Sequence, residues 1–198
     1  MQTFLHTGIK TQTECTMVVT TEQFDEYLTE QELRGIQILV GALVVGALMF
    51  ALVVIAMLAG ILDMSGTITV QIPFTILAVV VIIATLAGLY ASVVLPDRTI
   101  QRRFARTAYD DTGTWQHTAG RQLNAVRTGY ILQFAVIEGI AFLGLTFNLL
   151  AAMNGYGLES WVVWTNFLPA ILLILRLRSA FPTRDRVLEI HRIYSRLV

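Results

Sequence analysis

The sequence predicts an all-α fold, a membrane four-helix bundle. Four long apolar stretches, at residues 36–62, 74–95, 130–153 and 158–177, are separated by polar segments. Hydrophobic residues make up 55% of the 198-residue chain and charged residues only 14%. Because a helix needs about 20 apolar residues to cross the hydrocarbon of a bilayer, we expect each stretch to be a transmembrane helix. A soluble domain of this length would carry more charge.

The basic residues are concentrated on one side of the predicted bundle. Of the 14 Lys and Arg residues, six lie in the loop at 96–127 and six in the segment at 176–198. The other two connections, at 61–71 and 154–159, contain neither residue type. Because Lys and Arg accumulate in cytoplasmic loops, we predict a multi-pass protein of the cell inner membrane. Both termini and the 96–127 loop are then cytoplasmic.

The polar segments divide the chain into three parts. Residues 1–34 form a polar N-terminal segment, in which 1–16 are expected to be disordered and a short helix is expected to end near Arg34. Residues 35–178 form the four-span bundle, and residues 179–198 form a basic amphipathic tail. This length leaves no room for a second, soluble domain.

The N-terminal segment has no apolar core of its own, so we expect no cleavable signal peptide and a first span that directs its own insertion. Met17 is expected to be the natural start, because the residues before it are rich in Thr and Gln and show no periodicity. The single cysteine, Cys15, lies in the N-terminal segment assigned to the cytoplasm.

The sequence predicts no metal site, no cofactor and no enzyme. One cysteine supplies neither a disulfide nor a cysteine-based metal site. The three histidines are far apart in sequence and are interpreted as solvated or interfacial residues; they are His6, His117 and His191. Neither a nucleophile and base combination nor a phosphate-binding loop is recognisable.

Two short amphipathic helices are predicted beside the spans. Pro96 and Asp97 have the pattern of a helix start. The apolar residues Ile100, Phe104 and Ala108 then lie opposite Arg102, Arg103 and Arg106. Gln116 is expected to begin a helical segment that leads into the third span. In the tail, Pro182 suits a first-turn position, and one apolar face consists of Val187, Ile190, Tyr194 and Leu197.

The arginines beside the spans are interpreted as topology signals that contact the lipid bilayer at its anionic headgroups. They are Arg98, Arg102, Arg103, Arg106, Arg184, Arg192 and Arg196. A specific phosphorylated lipid is an alternative ligand, because guanidinium groups bind phosphate through paired donors. Nucleic acid is not predicted as a partner, since the sequence has no aromatic stacking platform or reading helix.

One carboxylate, Glu138, lies inside the third span. Because an ionised carboxylate is costly in hydrocarbon, we expect Glu138 to face the bundle and to be either neutral or paired with a cation. Glu138 lies 15 residues before Met153, which is about 22 Å at a rise of ~1.5 Å per residue. The same count along the antiparallel fourth span ends beside Arg176. We therefore predict an ion pair between Glu138 and Arg176, or Arg178 if the helix is displaced.

Two further polar residues lie in the predicted spans. Asn148 in the third span and Asn166 in the fourth fall at similar distances from the outer face, so an interhelical amide contact is predicted. Gly41 and Gly46 in the first span are five residues apart and do not form a GxxxG motif. We interpret these glycines as packing residues within one bundle.

The third span resembles a helix of a known family. Its segment AVIEGIAFLGLTFNLL, at residues 135–150, is similar to the carboxylate-bearing helix of the rotary ATPase proteolipid, subunit c. The resemblance implies that Glu138 is an ion-binding carboxylate. The chain departs from that family in having about 30 residues where the proteolipid has a short polar loop.

Three separated elements resemble a family of small, uncharacterised four-span bacterial integral membrane proteins. They are the opening span LRGIQILVGALVVGALMFALVV, the Glu-Gly element at residues 137–144, and the Pro-Thr-Arg sequence at residues 182–184. The resemblance implies a bundle in the bacterial inner membrane and implies no activity.

Two functions of different class follow from these observations. In the first, the chain is a structural, accessory or interaction subunit, as a homo-oligomer or in a larger membrane complex, and the Glu138 and Arg176 pair holds the bundle together. In the second, it is a proton- or cation-coupled permeation component with Glu138 as the titrating carboxylate. The first is preferred, because a permeation pathway would need a second membrane-embedded acid or base.

Overall fold

The computed structural model describes residues 19–62, 73–109 and 114–197, which form α-helices without any strand among them. The helices are α1 (Thr21–Tyr27), α2 (Glu30–Leu58), α3 (Phe74–Tyr109), α4 (Trp115–Met153), α5 (Trp161–Ala180) and α6 (Arg184–Ser195). The predictions for residues 1–16, which include His6 and Cys15, and for Met17 lie outside the described residues.

Helices α2 to α5 are long and apolar enough to cross a membrane. Their outward faces carry large apolar side chains; Ile38, Leu86 and Trp161, for example, are 72%, 65% and 61% exposed. Such a continuous apolar surface suits lipid and is unfavourable in water. The predicted fold class, an all-α four-helix membrane bundle, is confirmed.

The N-terminal segment contains a helix break that the sequence reading missed. Helix α1 starts at a capping box, in which the Thr20 hydroxyl accepts from the Gln23 amide and the Gln23 side chain accepts from the Thr20 amide. The predicted helix ending near Arg34 ends instead at Tyr27. Thr29 then caps a new helix by accepting from the Glu32 amide, so Arg34 belongs to the first span helix.

Pro96 does not start a helix, contrary to the prediction. Helix α3, which is 36 residues long, continues through Pro96 to Tyr109. A proline in a helix interior removes one backbone hydrogen bond. Here Pro96 is buried and packs close to Gly129 of α4, so tertiary contact holds the helix together across the proline. The predicted amphipathic segment after Pro96 is therefore the C-terminal end of α3.

The remaining helix boundaries follow the sequence closely. Helix α4 runs without interruption from Trp115 into the third span, as predicted. Helix α5 begins at Trp161, three residues later than expected, and continues past Arg176 to Ala180. Helix α2 ends at Leu58 rather than at residue 62, because Gly60 has a φ of +72°, a left-handed conformation that ends helices.

Helix α4 is the centre of the bundle and packs against each of the other five helices. Helices α2 and α3 each contact α5 as well as α4. Helices α2 and α3, although consecutive in the chain, make little or no contact with each other. The antiparallel pair α4 and α5 approach closely at Gly144, where an added Cβ would lie 2.2 Å from the Asn166 carbonyl oxygen.

A small second layer covers the arginine-rich end of the bundle. We call it the helical cap; it consists of α1, α6, the C-terminal end of α3 and the N-terminal end of α4. Arg184 of α6 binds Asp25 of α1 through Nε to Oδ1 at 2.7 Å and through Nη2 to the backbone oxygen at 2.9 Å. The Gln37 amide of α2 donates to the Pro182 carbonyl at 2.9 Å. These contacts join both ends of the described chain to the bundle.

Candidate functional site

Glu138 lies on the side of α4 that faces α2, at a partly exposed position on the edge of the bundle. A Cβ added to Gly46 of α2 would lie 3.8 Å from Glu138 Oε1. One turn further along both helices, the rings of Phe50 and Phe142 pack with centroids 5.5 Å apart. The two helices are therefore parallel and in register here. We call these four residues the Glu138 seam.

The predicted ion pair between Glu138 and Arg176 is not formed. With the Gln133 amide oriented so that its oxygen faces the guanidinium, that oxygen accepts from Arg176 Nη2 at 2.6 Å and from Nε at 2.9 Å. Arg178, the predicted substitute, is exposed. Among the described residues, Glu138 has neither a hydrogen bond nor an ion pair.

Helix geometry explains why the prediction was wrong. The prediction compared only how far along their helices Glu138 and Arg176 lie. It did not consider on which side of its helix each residue lies. Gln133 and Glu138 are five residues apart, which is about 140° around an α-helix at ~100° per residue. The Gln133 side of α4 faces α5, and the Glu138 side faces α2. Arg176 therefore reaches an amide on its own side of α4.

The predicted contact between Asn148 and Asn166 is replaced by a different interhelical bond. Both residues are fully buried, but Asn148 Nδ2 donates to the Val163 carbonyl at 3.0 Å. The Asn166 carbonyl packs on Gly144. Asn148 lies about one turn after Gly144 on α4, and Val163 lies about one turn before Asn166 on the antiparallel α5, so the two residues are at the same level. The Asn166 amide has no hydrogen-bond partner among the described residues.

The arginines predicted to contact headgroups are all exposed, although two have partners within the chain. Arg103 Nη1 donates to Thr128 Oγ1 at 2.9 Å, and Arg184 forms the contacts to Asp25 described above. The others are Arg98, Arg102, Arg106, Arg192 and Arg196. Arg184 thus joins two helices of the cap, a role that sequence reasoning did not assign to it.

His191 of α6 was predicted to be solvated or interfacial and is instead fully buried in the helical cap. Its ring stacks on Phe24 with centroids 4.1 Å apart and lies near Phe104 at 5.9 Å. Its Nε2 is 3.1 Å from Gln122 Oε1, a contact in which the Nε2–H tautomer donates to the amide oxygen. Burial lowers the pKa of His191 to about 4. His191 lies four residues after Val187 and three before Tyr194, so helical periodicity could have placed it on the apolar face of α6.

A second polar contact joins α6 to α3. The Tyr194 hydroxyl donates to Asp97 Oδ1. Burial and the bond to the neighbouring Asp97 carboxylate raise the pKa of Tyr194 well above its usual value. The phenol therefore remains protonated as a donor over the physiological pH range. The predicted apolar face of the tail is otherwise correct for Val187 and Ile190, whereas Leu197 is 62% exposed.

Two concave surfaces accompany these residues. An apolar groove of about 430 Å³ lies between α2 and α5, with Leu52, Trp164 and Phe167 among its walls. A basic cleft of about 330 Å³ lies between the C-terminal end of α3 and the N-terminal end of α4. Within the described ranges, no three His, Cys, Asp or Glu side chains are grouped so that they could hold a metal ion.

Comparisons of the chain with protein-family models, with curated proteins and with solved structures found no match.

Proposed function

We propose that the chain is a multi-pass protein of the bacterial inner membrane, with both termini in the cytoplasm, that acts as an interaction subunit. Four helices suited to cross a membrane and the one-sided distribution of arginine support the location and orientation. The resemblance of three sequence elements to four-span bacterial membrane proteins supports the bacterial origin.

The single observation that carries the proposed role is the Glu138 seam. A carboxyl group inside a span normally faces a partner, because an isolated one is costly in hydrocarbon. Glu138 has no partner among the described residues and is partly exposed. The glycine opposite it, Gly46, is exposed and carries no side chain to cover the carboxyl group. The seam is therefore a surface on which a membrane helix from another chain can supply the missing partner.

A second copy of the same chain is the partner that the chemistry favours. A neutral carboxyl group has one donor and one acceptor. Two such groups related by a two-fold axis along the membrane normal can satisfy each other, and two-fold interfaces are the commonest in homo-oligomers. The proposed assembly is thus a homodimer with the two Glu138 side chains at its centre.

Fluorescence energy transfer between copies of the 198-residue chain that begins at Met1, labelled at its single cysteine, Cys15, tests this assembly in liposomes. We expect wild-type chains to associate. Loss of an interhelical hydrogen bond in Glu138→Leu is expected to weaken association roughly fivefold to thirtyfold. Gly46→Leu should weaken it as well, because the added side chain fills the approach.

Two control variants separate the seam from general effects on the lipid-facing surface. Gly41→Leu adds the same side chain to α2 at a position where an added Cβ meets nothing within 4 Å. Thr146→Val removes a hydroxyl of α4 that bonds only its own helix, at the Phe142 carbonyl. Both should associate like wild type. Wild-type chains that do not associate, or controls as weak as Glu138→Leu, would contradict the proposal.

The second candidate function is proton or cation permeation through Glu138. One observation favours it: Arg176 binds Gln133, so no permanent ion pair neutralises the carboxyl group. Ion flux into proteoliposomes containing wild type or Glu138→Gln, with thermal stability measured in detergent, tests it. Flux that disappears in a stably folded Glu138→Gln supports permeation. Flux absent from wild type, or unchanged in Glu138→Gln, excludes Glu138 as the permeation site.

A further inference from the structure

The apolar groove between α2 and α5 opens onto the surface of the bundle. Its walls include three residues of each helix: Leu48, Leu52 and Ile55 of α2, and Trp164, Phe167 and Ile174 of α5. Leu52 on one rim is 60% exposed, and Trp164 on the other is 57% exposed. In a bilayer this surface faces the lipid, so a lipid can enter the groove from the side.

The walls of the groove are chemically uniform. Every residue that lines it is apolar. The one side-chain N–H group among them, Trp164 Nε1, donates to the Leu158 carbonyl at 2.8 Å and is therefore satisfied within the chain. A hydrogen-bonding group placed in the groove would find no partner and would be costly. The groove therefore favours a purely hydrocarbon occupant.

The length of the groove matches one leaflet of a bilayer. Trp164 and Ile174 are ten residues apart on α5, about 15 Å at ~1.5 Å per residue. This is half of the hydrocarbon thickness of about 30 Å. Trp164 lies three residues after the start of α5 at Trp161. The groove therefore extends from near the membrane surface opposite the helical cap to about the centre of the bilayer.

The volume of the groove distinguishes a hydrocarbon chain from a protein helix. An apolar cavity of about 150 Å³ holds benzene, which corresponds to about 25 Å³ per carbon. The groove of about 430 Å³ then has room for roughly 17 carbons. A helix about 10 Å wide and 15 Å long occupies roughly 1,200 Å³. The groove is therefore too small for a helix and matches a single acyl chain.

We propose that this groove holds one acyl chain of a bilayer phospholipid. The site is separate from the Glu138 seam. Leu48, Leu52 and Ile55 lie roughly 180 to 240° around α2 from Gly46, at ~100° per residue. An acyl chain in the groove and a second copy of the chain at the seam would therefore contact opposite sides of α2, and neither proposal depends on the other.

Quenching of tryptophan fluorescence by a brominated phospholipid tests the proposal with the full chain in vesicles. The chain has three tryptophans. One variant keeps only Trp164, in the groove, and the other keeps only Trp161, which is exposed on α5 and does not line the groove; phenylalanine replaces the others. The vesicles contain short-chain phosphatidylcholine and an increasing fraction of a brominated long-chain phosphatidylcholine.

We expect half of the quenching of Trp164 at a brominated fraction about threefold lower than for Trp161. A long chain fills the groove and contacts both helices, whereas a short chain leaves part of the walls without van der Waals contacts. Equal curves for the two tryptophans would overturn the proposal. Weaker quenching of Trp164 than of Trp161 would also overturn it, because another protein chain would then cover the groove.

A matched pair of substitutions in the variant that keeps Trp164 tests whether the walls of the groove cause the preference. Leu52→Ala removes one rim and is expected to abolish most of the threefold difference. Leu86→Ala shortens a similarly exposed side chain, at 65%, on α3 outside the groove, and the difference should remain. Both positions are exposed, so both variants are expected to fold. An equal effect of the two substitutions would contradict an acyl-chain site in the groove.

Discussion

At the residue scale, buried side-chain atoms lack hydrogen-bond partners in two regions of the described structure. In the span region, both amide atoms of Asn166 and the Asn148 carbonyl oxygen have no hydrogen-bond partner among the described residues. In the helical cap the same is true of His191 Nδ1. A buried polar atom without a partner costs about 1 to 3 kcal/mol. His191 also makes the stability of the helical cap depend on pH, because burial disfavours its protonated form.

The stability of the helical cap should fall in mild acid because of His191. Burial lowers the pKa of His191 from 6.5 to about 4 in the folded state. Between these values the unfolded cap binds a proton that the folded cap does not, so stability is complete above pH 6.5 and falls as the pH decreases toward 4. The loss attributable to His191 is at most about 3 kcal/mol.

Unfolding in detergent, followed between pH 7.5 and 4 by hydrogen exchange of the α6 amides, measures this loss. The pH range of the measurement brackets the shift from 6.5 to about 4. In His191→Phe, which keeps an aromatic ring beside Phe24 and Phe104, the pH dependence should be smaller than in wild type. In His117→Gln, which alters an exposed histidine, it should be unchanged. Equal pH dependence in wild type and His191→Phe would show that other groups control the acid response.

At the element scale, glycines set how closely the helices approach. An added Cβ at Gly144 of α4 would meet the backbone of α5, which cannot move aside as a flexible side chain can. At Gly88 of α3 an added Cβ would meet the Ile140 side chain of α4. Gly139 of α4, by contrast, faces open space. The same residue type therefore serves close packing at some positions and not at others, as in small-residue membrane interfaces.

Gly144→Ala and Gly139→Ala are expected to change stability in opposite directions. At Gly144 an added Cβ would lie 2.2 Å from the Asn166 carbonyl oxygen. Moving α5 away is expected to lower the free energy of unfolding by about 1 to 3 kcal/mol, as overpacking does. At Gly139, alanine meets nothing and should raise it by about 0.5 to 1 kcal/mol through helix propensity. Denaturant unfolding in detergent measures both. A destabilised Gly139→Ala, or a Gly144→Ala as stable as wild type, would contradict this account of the helix contact.

At the scale of the whole molecule, the bundle and the helical cap are one packed unit organised around α4. The N-terminal half of α4 contributes Gln122 and Tyr130 to the cap side, and its C-terminal half contributes Asn148 to the contact with α5. The cap ties α1 and α6 together through Asp25 and Arg184.

The sequence by itself determined the number of long apolar helices, their approximate bounds and the concentration of arginines at one end. These properties depend on local composition and length, since about 20 apolar residues suffice to define a span. Local patterns failed where packing outweighed them: Pro96 lies inside α3 because it is buried against α4, and His191 is buried because three aromatic and amide side chains surround it.

Only the tertiary structure decided which side chains meet. Depth along a helix can be counted from the sequence, and it suggested pairing Glu138 with Arg176. Direction around the helix and the identity of neighbouring helices cannot be counted in this way, because they depend on how α2, α3 and α5 are arranged around α4. In that arrangement Arg176 donates to the Gln133 side chain and Asn148 donates to the Val163 carbonyl. Glu138 faces α2 at Gly46 instead.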